Sequence, residues 1–419
     1  MRSASLLIAV ALAALSADLQ AEPGLPDKGQ PEKGLPALAD VAAALDAHPA
    51  VLAANARTSA AGAEARVLQR GPHEFSITAS YVRRSVDREG RFDEYDATLS
   101  RAVRLPGKAR LDREIGAAGL EASRNRAEDA RHQAALLLAQ GWWDWLGAAG
   151  EAVVDRQAVE NYSRMLAATR RRVSLRDAAE LEANQAEGAL GAARVAAEQS
   201  AGREAVARAR LAAQFPGLPI PGAAPEVPRP ELPEGGIEHF GSKIISRSHE
   251  IAAAEAEALR MVTVAERVRR DRIADPSVGL RLFSERNGAE RGAGFVVSMP
   301  LGGGRRRAEA DRAEAEAGAA RAEAMAARFA VNEMAATDLA EARSRYESWV
   351  RAREGVKAQV AALVKLRLGQ AAGEFGLADV LLGERQVHDA FRMEVLARTE
   401  AQRALTRLRI DSHELWILE

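Results

Sequence analysis

The sequence predicts a mainly α-helical chain with a small β part, built twice from the same series: a helix, two strands and a long helical hairpin. Three observations predict it. First, of 419 residues, 47% are hydrophobic and 28% charged, but only 4% are aromatic. Such a mixture of Ala, Glu, Arg and Leu favours long helices and coiled coils over a dense globular core. Second, proline is absent between Gly107 and Phe215 and again after Pro300, which leaves two uninterrupted helical tracts. Third, strand-like runs with a period of two stand in pairs ahead of those tracts.

Taken in order, residues 1–21 read as a secretory signal: Arg2 is the charged start, Leu6 to Leu15 the apolar stretch and Ala21 the last residue before cleavage. The apolar stretch is too short for a membrane helix, and no run of 18 apolar residues follows Leu15. Entry of the mature chain into a membrane would therefore require a β-barrel. Residues 22–37 carry four prolines and three glycines and read as an extended N-terminal arm. Residues 38–215 form the first repeat, 216–236 a linker holding seven of the sixteen prolines, and 237–419 the second repeat.

Offsets between the halves support duplication. His48-Pro49-Ala50-Val51 opens the first half and His249-Glu250-Ile251-Ala252 the second, 201 residues later. Both histidines read as helix-start residues. Val173-Ser174-Leu175-Arg176-Asp177 matches Phe375-Gly376-Leu377-Ala378-Asp379 at an offset of 202, whereas Pro106 and Pro300 differ by 194. Those offsets predict a longer loop in the first strand pair and a second long helix about two turns longer than the first.

Strands are expected at about 74–85 and 93–103, then at about 276–286 and 292–300. Phe75, Ile77, Ala79 and Tyr81 alternate with Ser76, Thr78 and Ser80, and Tyr95, Ala97, Leu99 and Val103 stand opposite Asp96, Thr98 and Ser100. The alternation in Val278, Leu280, Leu282 and in Phe295, Val297, Met299 is less clean. Runs of this length suit tilted transmembrane strands, and equally a small soluble sheet. The turns between them are Asp87-Arg88-Glu89-Gly90 and Asn287-Gly288.

From Gly107 to Arg172 a single helix would run about 100 Å. It must turn back, and the expected turns are Val173-Ser174-Leu175 and Phe375-Gly376-Leu377. Asp177 and Asp379 are then expected at the start of the returning helix, where the helix dipole favours an anion. Val173, Leu175, Phe375 and Leu377 have no core to enter at the end of a hairpin and are expected to be exposed, as a partner surface would be.

Little in the sequence suggests catalysis. The 58 basic and 59 acidic residues leave a net charge of −1, which excludes a broadly basic nucleic-acid binder. There is no Cys, no GxSxG, no P-loop and no HExxH, and the seven His residues are scattered. Most Glu and Arg residues read as a solvated coiled-coil face. Trp142, Trp143 and Trp145 are expected to pack where the hairpin meets another layer. Gly302-Gly303-Gly304, ahead of Arg305 to Arg307, reads as a hinge from strand to helix. No enzyme activity, metal site or cofactor is expected.

Signal segment, duplicated halves, paired strands, proline–glycine corner and long hairpins together resemble the TolC-type outer-membrane efflux factors. The most specific pieces are Asp275-Pro276-Ser277-Val278-Gly279-Leu280, Ser298-Met299-Pro300-Leu301 and the two tip motifs. The resemblance implies a homotrimer in the outer membrane whose strands close a twelve-stranded barrel above a hollow periplasmic α-barrel. It implies two partners, a periplasmic adaptor (membrane fusion protein) and an inner-membrane pump of the resistance-nodulation-division type. It places the adaptor at Val173, Ser174, Leu175, Phe375, Gly376 and Leu377, and a periplasmic gate at Asp177 and Asp379. The stretch Ser284 to Arg291 is similar to the branch that exports heavy-metal cations. The alternatives are an organic-compound duct of the same fold and a periplasmic coiled-coil adaptor. Many relatives carry a lipidated Cys at the mature N-terminus, which this chain lacks.

Overall fold

The computed structural model describes residues 33–233 and 235–417. The expected signal segment and residues 22–32 of the expected arm lie outside them. The first half runs α1 (Leu38–Asp46), α2 (Pro49–Arg70), β1 (Phe75–Val86), β2 (Gly90–Ala102), α3 (Lys108–Ser174) and α4 (Glu180–Gln214). The second runs α5 (Glu238–Ser246), α6 (His249–Arg270), β3 (Ser277–Glu285), β4 (Glu290–Ser298), α7 (Gly304–Ala371) and α8 (Leu377–Asp411).

The halves agree more closely than the sequence offsets suggest. Helices α1 and α5 have 9 residues each, α2 and α6 have 22, and α4 and α8 have 35. Helices α3 and α7 have 67 and 68, so the expected two-turn excess is absent. The difference between halves lies instead in the strands, 12 and 13 residues in the first pair against 9 and 9 in the second. The first pair thus has longer strands, not a longer loop. The helix-start equivalence also shifts by one residue. His48 is the N-cap of α2, its Nδ1 accepting the Ala50 N–H at 3.3 Å, with Pro49 at the first helical position. In α6 the cap is Ser248, accepting the Ile251 N–H at 3.2 Å, and His249 lies one position inside.

Helices α3 and α4 pair along their lengths, as do α7 and α8, while α2, α3, α6 and α7 lie side by side. The halves are joined where α3 meets α6, where β2 pairs with β3 and, farther along, where α3 meets α8. Small residues permit that approach: a Cβ on Gly150 would come within 2.6 Å of Val395 Cγ1.

The aromatic residues gather midway along the hairpins. Trp142, Trp143 and Trp145 are buried with Leu45, Leu211, Phe215, Ile410 and Trp416 in one cluster. Trp142 and Trp145 meet edge to face at 5.2 Å, while the indole N–H groups of Trp142 and Trp143 donate to Gly34 O and Thr406 Oγ1 at 2.7 and 3.0 Å. The linker belongs to this knot rather than hanging free. Leu218 and Val227 are buried in it, and Arg398 and Gln402 donate to the carbonyls of Val227 and Pro228. Its prolines have no N–H to satisfy, so an irregular segment can pack there at low cost.

Candidate functional site

At one end of the long helices the four strands form an antiparallel sheet in the order β1-β2-β3-β4. The register aligns side chains in rows across it. One face carries Phe75–Arg101–Val278–Val297, Ile77–Leu99–Leu280–Phe295, Ala79–Ala97–Leu282–Ala293 and, farthest from the helices, Tyr81–Tyr95–Ser284–Arg291. The other carries Ser76–Ser100–Gly279–Val296, Thr78–Thr98–Arg281–Gly294 and Ser80–Asp96–Phe283–Gly292. No helix packs across either face among the described residues. Ile77 is 77% exposed and Phe295 is 92% exposed, so the apolar rows have no protein partner. A small soluble sheet would cover such a face with a second layer, and none is present among the described residues. Strands β1 and β4 are open edges.

Buried ion pairs fix the corner between sheet and helices. Lys108, 2% exposed, reaches Asp271 at 2.8 Å, Asp275 at 2.9 Å and the Ile273 carbonyl at 2.8 Å. Asp112 is paired with Arg104 at 3.1 Å and with Arg267 at 2.6 Å. Asp275 also accepts the Leu105 N–H at 3.0 Å. Burial opposes ionisation of Asp275, but the Lys108 ammonium and the hydrogen bonds outweigh it and hold the carboxyl below the usual range. The Asp275-Pro276 motif thus ties β3 to the start of α3.

The hairpin tips lie at the far end of α3 and α7. Both turns are built the same way. The N–H groups of Arg176 and Asp177 bond back to Val173 and Arg172, and those of Gly373 and Glu374 bond back to Gln370 and Gly369. Each turn has a left-handed residue, Arg176 at φ 59° and Gly373 at φ 81°. Arg176 is therefore the partner of Gly373, and the resemblance between the Ser174-Leu175-x-Asp177 and Gly376-Leu377-x-Asp379 motifs does not mark equivalent places. Asp379 sits in the first turn of α8 and accepts the Gly376 N–H at 3.0 Å. Asp177 does not start its helix: it lies in the turn and is paired with Arg172 at 3.2 Å.

Exposure at the tips also differs from expectation. Leu175 is 70% exposed and Phe375 is 44% exposed, Ser174 and Gly376 are on the surface, and Val173 is half-buried. Leu377 is 5% exposed, packed into a cluster with Tyr162, Leu166, Ala186 and Leu190 from the other hairpin. The second turn thus leans on the shaft of the first hairpin, which supplies the core that a free hairpin end would lack. Gly373, a helix-ending glycine, was the sequence signal for the true equivalence.

A buried polar group near the helix midpoints has no sequence signature. His132 Nε2 and Asp411 Oδ1 are 2.8 Å apart although 279 residues separate them. Asp338 hydrogen-bonds Asp411, and Arg407 lies 3.1 Å from Asp338 and 3.3 Å from Asp411. Burial first, and then Asp411, push the Asp338 carboxyl up to about 7. Burial would raise Asp411 too, but His132 and Asp338 bond to its carboxylate and lower it. The two neighbouring carboxyls are thus pushed in opposite directions, Asp338 towards its neutral form and Asp411 towards its charged form. Among the described residues no group of His, Asp and Glu is placed to hold a metal ion, and no helix is long and apolar enough to cross a membrane.

No protein-family model and no curated protein matches the chain. Solved structures do. The outer-membrane channel OprN aligns with a TM-score of 0.75 and 19% identity over 90% of each chain. CusC, described for its folding and transmembrane channel formation, aligns at 0.76 and 15% identity over 92% of this chain and 98% of that one. The open Neisseria gonorrhoeae MtrE outer-membrane channel aligns at 0.73 and 18% identity over 90% and 88%. Full-length superposition at such identities shows the fold: the chain has the architecture of the TolC-type outer-membrane efflux channels.

Proposed function

We propose that the chain is the outer-membrane duct of a tripartite export system, a passive channel without catalysis of its own. The observation that carries this reading is the uncovered apolar face of a four-stranded sheet with two open edges, at the head of hairpins about 100 Å long. An open edge is not tolerated in lipid, and four strands cannot enclose a water-filled lumen. Three copies, joined β4 to β1, give twelve strands and remove every edge. The apolar rows then face lipid and the Ser/Thr rows face water. The fold of OprN, CusC and MtrE supports the same assignment.

The periplasmic adaptor would dock at the tips through Ser174, Leu175, Phe375 and Gly376. Val173 and Leu377 hold the turns from within. Of the two expected gate residues, Asp379 has no cation against it among the described residues and contributes an unneutralised charge. Asp177 is offset by Arg172. Rings of Asp379 around a threefold axis would favour cations at the periplasmic mouth. The cargo we assign is heavy-metal cations, on the resemblance of the Ser284 to Arg291 turn; organic compounds are the competing cargo, and the pump would be of the resistance-nodulation-division type.

The test is fractionation followed by light scattering in detergent, which should give a trimer from the outer membrane. A stable monomer, or recovery from the periplasm, would overturn the reading. Cysteines at Ser174 and Gly376 should crosslink to a co-expressed adaptor while one at Ala139 does not. Deletion of the gene should raise sensitivity to metal salts; raised sensitivity to dyes and detergents alone would assign the organic cargo.

A further inference from the structure

We infer that a cleft below the sheet binds the phosphate headgroups of anionic phospholipid in the periplasm-facing leaflet. The inference rests on the membrane reading above and deepens it. The cleft lies where α3 begins, α6 ends and α7 begins. Its lining holds six cationic side chains, Lys108, Arg269, Arg270, Arg272, Arg306 and Arg307, and no carboxylate.

Half of these cations are already engaged. Lys108 is paired with Asp271 and Asp275, Arg270 with Glu266, and Arg306 donates to the Asp271 carbonyl. Arg269, Arg272 and Arg307 are exposed and make no ion pair among the described residues. Three unpaired guanidinium groups in one cleft repel one another unless an anion joins them, and the guanidinium fork matches phosphate oxygens.

The surroundings select lipid over free phosphate. Beside the arginines stand Ile273, 61% exposed, and Leu301, 91% exposed. Leu301 extends the apolar series Phe295, Val297 and Met299 beyond the end of β4, so the lipid face runs directly into the cleft. The last row of that face holds its one charge on the helix side, Arg101, whose guanidinium lies 4.9 Å from the Phe75 ring. A cation at that depth can reach the headgroup layer with its stem against acyl chain. The other end of the band carries Tyr81 and Tyr95, as membrane–water boundaries do. The arginine cleft therefore sits at the level of the lipid phosphates on the helix side.

The experiment uses the full-length protein purified in detergent, titrated with phosphatidylglycerol or phosphatidylcholine and read by native mass spectrometry. The wild type should retain phosphatidylglycerol in preference to phosphatidylcholine. The variant R269Q/R272Q/R307Q should weaken that retention by roughly a hundredfold, at about fivefold for each arginine. R269K/R272K/R307K, which keeps the charge but loses the forks, should fall between the two. In the wild type, high salt should release the lipid, a readout independent of variant folding. Equal retention of both lipids by the wild type, or unchanged preference in the Gln variant, would overturn the inference. So would displacement of the lipid by millimolar inorganic phosphate, or a Gln variant that changes only channel ion selectivity in planar bilayers, which would place the arginines in the lumen. Insertion of the wild type into phosphatidylcholine vesicles is measured alongside. Failure there breaks the membrane reading, whereas insertion without lipid preference breaks only this one.

Discussion

The sheet and the midpoint knot contain similar residue types in opposite circumstances. In the knot, Trp142, Trp143, Trp145, Leu138 and Leu146 are covered by helices, linker and C-terminal residues. In the sheet, Ile77, Phe295, Val297 and Phe75 are each more than half exposed. The knot therefore draws its hydrophobic stabilisation from the chain itself. The sheet has none to draw until another phase covers it. The contrast separates a region that the chain covers itself from one that the chain leaves uncovered.

The largest effect should come from emptying the knot. Trp143→Ala removes a side chain that is 1% exposed and its hydrogen bond to Thr406. It should destabilise the chain by about 3–5 kcal/mol, read as a lowered thermal midpoint in detergent. A neutral outcome would mean that the knot is not the folding core. In the sheet, Ile77→Arg should cost about 2–4 kcal/mol of membrane assembly, while Thr78→Arg, on the opposite face, should cost less than about 1 kcal/mol. The measurement is insertion into vesicles, and equal tolerance at the two positions would erase the distinction between the faces.

The tips sharpen the same contrast at smaller scale. Leu377→Ala, at a buried site, should cost about 2 kcal/mol, while Leu175→Ala should change stability by less than about 0.5 kcal/mol. Loss of adaptor crosslinking in Leu175→Ala with stability unchanged would identify an exposed residue kept for a partner. The last contrast, at the carboxylate pair, depends on pH. Asp338 has its carboxyl raised in the folded chain, so its contribution to stability is present below about pH 4 and is lost as pH rises to about 7. Asp411 has the opposite sign: its contribution is present above about pH 4 and fails as acid protonates it. Asp338→Asn should therefore raise the thermal midpoint most at pH 8, less at pH 5 and hardly at all at pH 3. An equal change at all three pH values would show that packing, not ionisation, dominates there.

The order of elements, the duplication, the two long hairpins and the apolar-face parity of Phe75 to Tyr81 were all legible in the residues, because proline distribution and side-chain period act locally. The alternative of a soluble sheet could not be dismissed at that level. Alternation specifies a face but not what covers it, and only the tertiary structure showed that no second layer of the chain does so among the described residues. Motif likeness at the tips misled for a related reason. Leu175 and Leu377 read alike in sequence, but backbone hydrogen bonds pair Arg176 with Gly373 and leave one leucine outside and the other inside. His132, Asp338 and Asp411 gave no signal, since their proximity exists only once α3, α7 and the end of α8 are packed together. Local conformational preference was thus set by the sequence alone. Contacts between residues hundreds of positions apart, and the cleft where five cations from three helices converge with Arg272 just past the end of α6, were decided by tertiary packing, which places side chains by geometry that no short stretch of sequence encodes.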